Sequence, residues 1–255
     1  MINEIIKQLK PLINGRLIYL SQYGSHLYGL NTENSDLDFR GVYIPTLDDT
    51  ILKKDKDEIN TELYIDKQVI EEYVPDEHCK GYFISQKVDI KIFSLRKFIQ
   101  LCSRAYTNAL DLLFSISKRT DIEQYMYLDN RPHDHSYSIF EQIFYNRDKL
   151  INTDRLESPI SYAFKQATKY GLKGERLKVL LEVKELLDTG SIQFPLKDKD
   201  FLLAIKLGKV ERKDIDEFFN KELSEILERV QKNELNWKYD EEFWNDFILK
   251  EIKNV

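Results

Sequence analysis

Cysteine is scarce in this chain: two in 255 residues, Cys79 and Cys102. Two thiols cannot build a disulfide framework or a four-cysteine zinc site, so a reducing compartment, the cytoplasm, is expected. Long hydrophobic runs are missing too. No stretch approaches the roughly 20 apolar residues of a membrane span. The opening segment Met1–Lys7 carries an early acid, Glu4, and no apolar run of signal-peptide length. An excess of basic charge is likewise absent: Lys+Arg 38 stand against Asp+Glu 44, a net charge of −6. That balance disfavours a protein that coats DNA or RNA, since such a protein must neutralise many phosphates. It leaves room for a local basic pocket. Trp and Met number only 2 each, so Tyr 15 and Phe 14 supply much of the core. What is present suffices for a globular protein, with 42% hydrophobic and 32% charged residues. The length permits one large domain or two ordinary ones.

The texture changes near residue 120, from short β-rich runs mixed with helices to charged, mostly helical sequence. Ile2, Ile5, Ile6, Leu9, Leu12 and Ile13 are helically spaced and end at Asn14-Gly15. Leu17–Leu20 reads as a strand, Asn31–Ser35 as turn chemistry, and Asp36–Ile44 as a second strand stopped by Pro45. Lys53–Glu58 is a charge run, read as a solvated loop. Lys87–Phe93 alternates like a half-buried strand, and Ser94 can cap a helix that buries Leu95, Phe98, Ile99 and Cys102. Another helix covers Asn108–Phe114. Helices are then expected over 139–151, from Ser158-Pro159 to an interruption at Gly171–Gly174, on to about Leu187, and over 214–230 and 241–252. The expected fold is an α/β head with a mixed sheet, residues 1–118, followed by a mainly α-helical domain, residues 119–255.

The informative segment is Gly24-Ser25, ten residues, then Asp36-Leu37-Asp38. Positions i and i+2 of a strand share a face, so Asp36 and Asp38 would present two carboxylates side by side. Like charges held this close repel unless a cation or proton lies between them. Oxygen-only ligands suit a hard cation such as Mg²⁺. Gly24 allows close backbone approach to a ligand, and Ser25 offers a hydroxyl and an N–H to a phosphate. Asp89 lies on another expected strand, opposite in facing to Val88 and Ile90. If that strand neighbours the Asp36–Asp38 strand, three carboxylates converge on a site for metal-assisted phosphoryl or nucleotidyl transfer. Lys91 shares the face of Asp89 and could screen phosphate charge.

The run from Tyr23 to Tyr43, YGSHLYGLNTENSDLDFRGVY, resembles the DNA polymerase β nucleotidyltransferase superfamily, in particular its bacterial and phage branch of predicted nucleotidyltransferases. Val88–Phe98, Asn108–Phe114 and Leu186–Gly190 with Pro195-Leu196 resemble later segments of that branch. The resemblance implies that Asp36 and Asp38 bind metal, that Asp89 completes the metal site or takes the acceptor's proton, and that Gly24 and Ser25 hold nucleotide phosphates. It gives Arg40 to phosphate or acceptor. It implies an enzyme that uses Mg²⁺ or Mn²⁺ to move an NMP from an NTP, ATP among the candidates, to an acceptor hydroxyl, releasing pyrophosphate. The acceptor is left open among tRNA, protein and small molecule. Relatives often carry a His and an Arg on the second tail helix; here the region reads Lys173–Lys178, a departure that touches any acceptor role of Arg176. Two alternatives stand beside this reading: a non-catalytic nucleotide-binding regulatory module, and a protein-adenylylating antitoxin-like enzyme.

Other residues invite less. Asp111 reads as a helix-surface or packing residue. His133-Asp134-His135 reads as a loop and helix cap, Asp76–Cys79 is similarly weak as a metal site, and Cys102 reads as a small core residue. None of the 4 His sits in a nucleophile-elbow context.

Overall fold

The computed structural model describes residues 2–69, 82–117, 125–127, 138–170 and 174–255. Helix α1 (Ile2–Leu9) leads into strand β1 (Gly15–Tyr23), the short helix α2 (Ser25–Tyr28) and strand β2 (Leu37–Pro45). Helix α3 (Leu47–Ile51), strands β3 (Glu58–Val69) and β4 (Tyr82–Ser94), and helices α4 (Leu95–Ser103) and α5 (Thr107–Phe114) follow. Among the described residues, the short strand β5 (Tyr125–Tyr127) is followed by helices α6 (Ile139–Tyr145), α7 (Glu157–Tyr170), α8 (Gly174–Thr189), α9 (Lys199–Lys206), α10 (Arg212–Gln231) and α11 (Glu241–Lys253). The result is an α/β head followed by a helical region.

The sheet runs β3-β4-β2-β1-β5, with β2 and β4 parallel and the other pairs antiparallel. Alternation sorts its side chains. Leu37, Phe39, Val88, Ile90 and Ile92 pack on one face with Ile5 and Leu9 of α1. Tyr19, Tyr23, Val42, Ile44 and Phe93 face the other way, into a second core shared with α4, α5 and the helical region. That core runs without interruption from Phe98 and Leu113 through Phe140 to Leu180, Leu187 and Trp244. The last helix returns to the head: α11 packs on α4 and β2, and buried Glu251 lies 3.7 Å from Arg16 of β1.

Several boundaries differ from the sequence expectation. The first helix stops at Leu9, because Pro11 lacks an N–H and the chain tightens to a 3₁₀ turn over Lys10–Leu12. Ser158 is not a cap, since α7 already starts at Glu157; Pro159 is tolerated there because first-turn N–H groups lack intrahelical acceptors. Likewise α6 ends at Tyr145 and gives way to a 3₁₀ turn over Arg147–Lys149. Strand β3 and helices α3 and α9 had no counterpart in that reading. The motifs Asp76–Cys79 and His133–His135 and the side chain of Arg176 lie outside the described residues.

Candidate functional site

Three elements of the head meet at one end of the sheet. Strand β1 ends at Tyr23, whose register partner is Asp38 of β2. Beyond it Gly24 turns the chain into α2 with φ 65° and ψ −145°, a conformation close to glycine-only. A second constraint acts on the same residue. A Cβ on Gly24 would overlap the Asp38 carboxylate. The Gly24–Ser25 turn and Asp38 are therefore in contact, which the sequence spacing alone could only suggest. Gly29, in the left-handed conformation at φ 73°, closes α2.

Strand β2 begins at Leu37, so Asp36 sits just before it. The reason is pairing: β1 offers no partner beyond Tyr23–Asp38, and the ladder with β4 begins at Leu37–Val88. In that parallel ladder Asp38 stands beside Asp89, and Arg40 beside Lys91. Glu62 of β3 is the next residue in the row, opposite Asp89. Asp38 is half-buried, and burial pushes its carboxyl above the usual range. Arg40 pulls it back down, Asp89 and Asp36 push it up, and His26 lowers it.

A cavity of about 500 Å³ opens at this end of the sheet. From the head it is lined by Gly24, Ser25, Asp36, Asp38, Arg40 and the Thr107–Asn108 start of α5; from the helical region come Tyr162, Lys178 and Lys206. Arg40 lies over the Tyr23 ring at 4.9 Å, and its buried Nε has no hydrogen-bond partner among the described residues. Lys206 is exposed and donates to the Leu30 carbonyl at 3.0 Å. Tyr162 is 53% exposed, a large aromatic face at the cavity wall.

Five of the seven residues singled out from sequence thus line one cavity. The other two do not. Asp89 neighbours Asp38, but its carboxylate is held by Lys87 at 3.3 Å, and Lys87 also binds Glu62 at 2.8 Å. Lys91 pairs with Glu58 at 2.6 Å, over the Phe93 ring. Asp36, Asp38 and Asp89 offer only oxygen donors, which suits a hard cation. Among the described residues, no group of three or more His, Cys, Asp or Glu is arranged to hold a metal ion. Burial is the main cause of the raised Asp38 carboxyl; the repulsion that Asp89 and Asp36 add to it is what a bound cation would relieve.

Sequence reading missed Tyr162, Lys206 and Lys178, because nothing in a helical pattern tells which face meets a distant cavity. It also underweighted Asp111. That residue is 1% exposed and accepts hydrogen bonds from Tyr23 at 2.8 Å and Tyr28 at 2.6 Å.

Residues 1–132 match the RNA repair pathway DNA polymerase beta family. A similar sequence is an uncharacterized 38.9 kDa protein in the nrdC–mobD intergenic region of Enterobacteria phage T4. The two are 25% identical over 199 residues, which cover 77% of this chain and 51% of the relative. The chain spans about half the length of that relative. No described helix is long and apolar enough to cross a membrane.

Proposed function

This chain belongs to the RNA repair pathway DNA polymerase beta family, and on that footing we propose that it transfers an NMP from an NTP to a hydroxyl at an RNA end. The observation that carries this reading is the contact between the Gly24–Ser25 turn and Asp38 on the wall of a cavity that also holds Asp36 and Arg40. The family's description supports RNA as the acceptor class. The helical region closes the cavity and selects the acceptor.

In the proposed reaction the acceptor oxygen bonds to the α-phosphorus, the bond from that phosphorus to the bridging oxygen breaks, and pyrophosphate leaves. The acceptor's proton passes to a carboxylate, Asp89 in this assignment, and then to solvent. Gly24 and Ser25 hold the phosphates through backbone N–H and hydroxyl donors. Arg40 and Lys206, both in the cavity lining, offset phosphate charge. Asp36 and Asp38 would hold Mg²⁺ or Mn²⁺, with Asp89 either completing that set or serving as the base; when bound the ion would neutralise developing charge on the phosphates. The protein otherwise supplies alignment and electrostatic stabilisation.

Incubation of the full chain with RNA 3′ ends, each labelled NTP and Mg²⁺ tests the reading. Wild type should extend the RNA and release pyrophosphate. Asp38→Asn should lower the rate by about 10²–10³-fold, the cost typical of losing one preorganised electrostatic group. Equal transfer by wild type and the double variant Asp36→Ala/Asp38→Ala would remove the basis for the proposal.

A further inference from the structure

Tyr23 and Tyr28 bracket the Gly24–Ser25 turn, and both hydroxyls donate to one oxygen, Oδ2 of Asp111, at 2.8 and 2.6 Å. Tyr23 also lies 3.0 Å from Asn108 Oδ1. The two rings meet edge to face at 6.0 Å. The same Asp111 oxygen accepts from Lys178 Nζ of α8 at 3.2 Å. Lys178 in turn donates to Glu182 Oε1 at 2.9 Å, and its ammonium sits 3.6 Å from the centre of the Tyr28 ring. Two carboxyl groups, one ammonium and two phenols are therefore buried together at the cavity wall, contributed by β1, α2, α5 and α8.

The charge count is informative. With both acids ionised, one lysine would leave an uncompensated negative charge in a dry site, which is costly. Two oxygens, Asp111 Oδ1 and Glu182 Oε2, would also be buried with no partner among the described residues. Burial and the Asp111 charge both favour a proton on Glu182. A proton on Glu182 removes the uncompensated charge.

We propose that Asp111 is the positioning residue of the Gly24–Ser25 turn, and that Lys178 and Glu182 of the helical region complete its support. The turn is then held in its binding shape only while α8 is docked and its Lys178 reaches Asp111. This inference rests on the reading of Gly24–Ser25 as the phosphate-binding turn. The charges fit. Burial, then the Asp111 and Lys178 charges with opposite signs, leaves the Glu182 carboxyl pushed up to about 8. Burial and then Asp111 hold both phenols well above their ordinary range, so they stay hydrogen-bond donors. Burial pulls Lys178 down, but Asp111 and Glu182 more than restore it, so it stays an ammonium. Raising the pH above about 8 therefore ionises Glu182 first, and the added charge opposes the clamp.

The test uses the full chain, with amide hydrogen exchange of the Tyr23–Tyr28 segment, corrected for the intrinsic rate at each pH, beside titration with each Mg²⁺–NTP. Wild type should lose about tenfold in protection and in nucleotide affinity between pH 7 and pH 9. Glu182→Gln keeps an acceptor for Lys178 and cannot ionise, and should show neither loss. Tyr23→Phe/Tyr28→Phe removes the hydroxyls but keeps the rings, and should lose about tenfold in protection already at pH 7. The double phenylalanine variant decides the matter should Glu182→Gln not fold. Protection of wild type that is unchanged from pH 7 to pH 9, or a double variant as protected as wild type, overturns the clamp. Exchange behaving as expected in a protein that binds none of the four NTPs supports the clamp and overturns the nucleotide-binding reading instead.

Discussion

At the scale of single residues, the site is set by close approaches. Gly24 carries two demands together: a backbone conformation that side chains resist, and an Asp38 carboxylate where its Cβ would be. Gly24→Ala should cost about 1–3 kcal/mol through backbone strain alone. It should also displace Asp38, so nucleotide binding measured by calorimetry should fall by more than the loss of stability explains. Tyr162 is a different case. It leaves a large aromatic face half in water at the cavity wall, where a nucleobase can stack. Base–aromatic stacking contributes about 1–3 kcal/mol per base. Tyr162→Ala should therefore weaken nucleotide or RNA-end binding by about tenfold, while Tyr162→Phe should retain it; equal affinities for all three proteins would rule the platform out.

At the scale of elements, local chemistry places the boundaries. Ser94 Oγ accepts from the Lys97 N–H at 3.2 Å and starts α4 where β4 ends. Ser138 and Glu141 form a reciprocal capping box at the start of α6, with bonds of 3.2 and 2.9 Å. Ser138→Ala should cost about 1 kcal/mol, a fall of about 2–4 °C in Tm for a chain of this size, readable by thermal melting. Much of this was legible in the residues. The cap at Ser94, the α4 face of Leu95, Phe98, Ile99 and Cys102, and the alternation of β4 all appear where the spacing puts them. Strand β3 escaped notice although Ile59, Leu63 and Ile65 alternate there and are buried, because charged neighbours on the other face resemble a loop. Helix α9 escaped because its eight residues give too short a pattern to separate from turn sequence.

At the scale of the whole molecule, the larger core joins the sheet to the helical region without a seam. Cutting the chain after the family match, at residue 132, would expose Phe98, Leu110, Leu113 and their neighbours to water. Such a fragment should be insoluble or bind a hydrophobic dye strongly, whereas the full chain should not. The buried acid pair adds a pH signature. Glu182 is raised from its ordinary 4.5 to about 8 on folding, so between those values the folded chain keeps a proton that the unfolded chain releases. Stability from this group is full below about pH 4.5 and is lost as pH rises toward 8. Urea midpoints taken at pH 6 and pH 8 should therefore fall for wild type and fall less for Glu182→Gln.

The sequence by itself determined the class of fold, the strands that carry Asp38 and Asp89, and a constellation specific enough to show its resemblance. Those features are local: periodicity, caps and short spacings reach only a few residues along the chain. Tertiary structure decided which of the residues share a cavity. It brought Gly24, Ser25, Asp36, Asp38 and Arg40 together, left Lys91 on Glu58 and Asp89 on Lys87, and added Tyr162 and Lys206 to the lining. It also turned Asp111 from an ordinary helix residue into the hub beneath the turn. Asp111 and Lys178 lie 67 positions apart, and only the tertiary fold that buries both side chains could pair them.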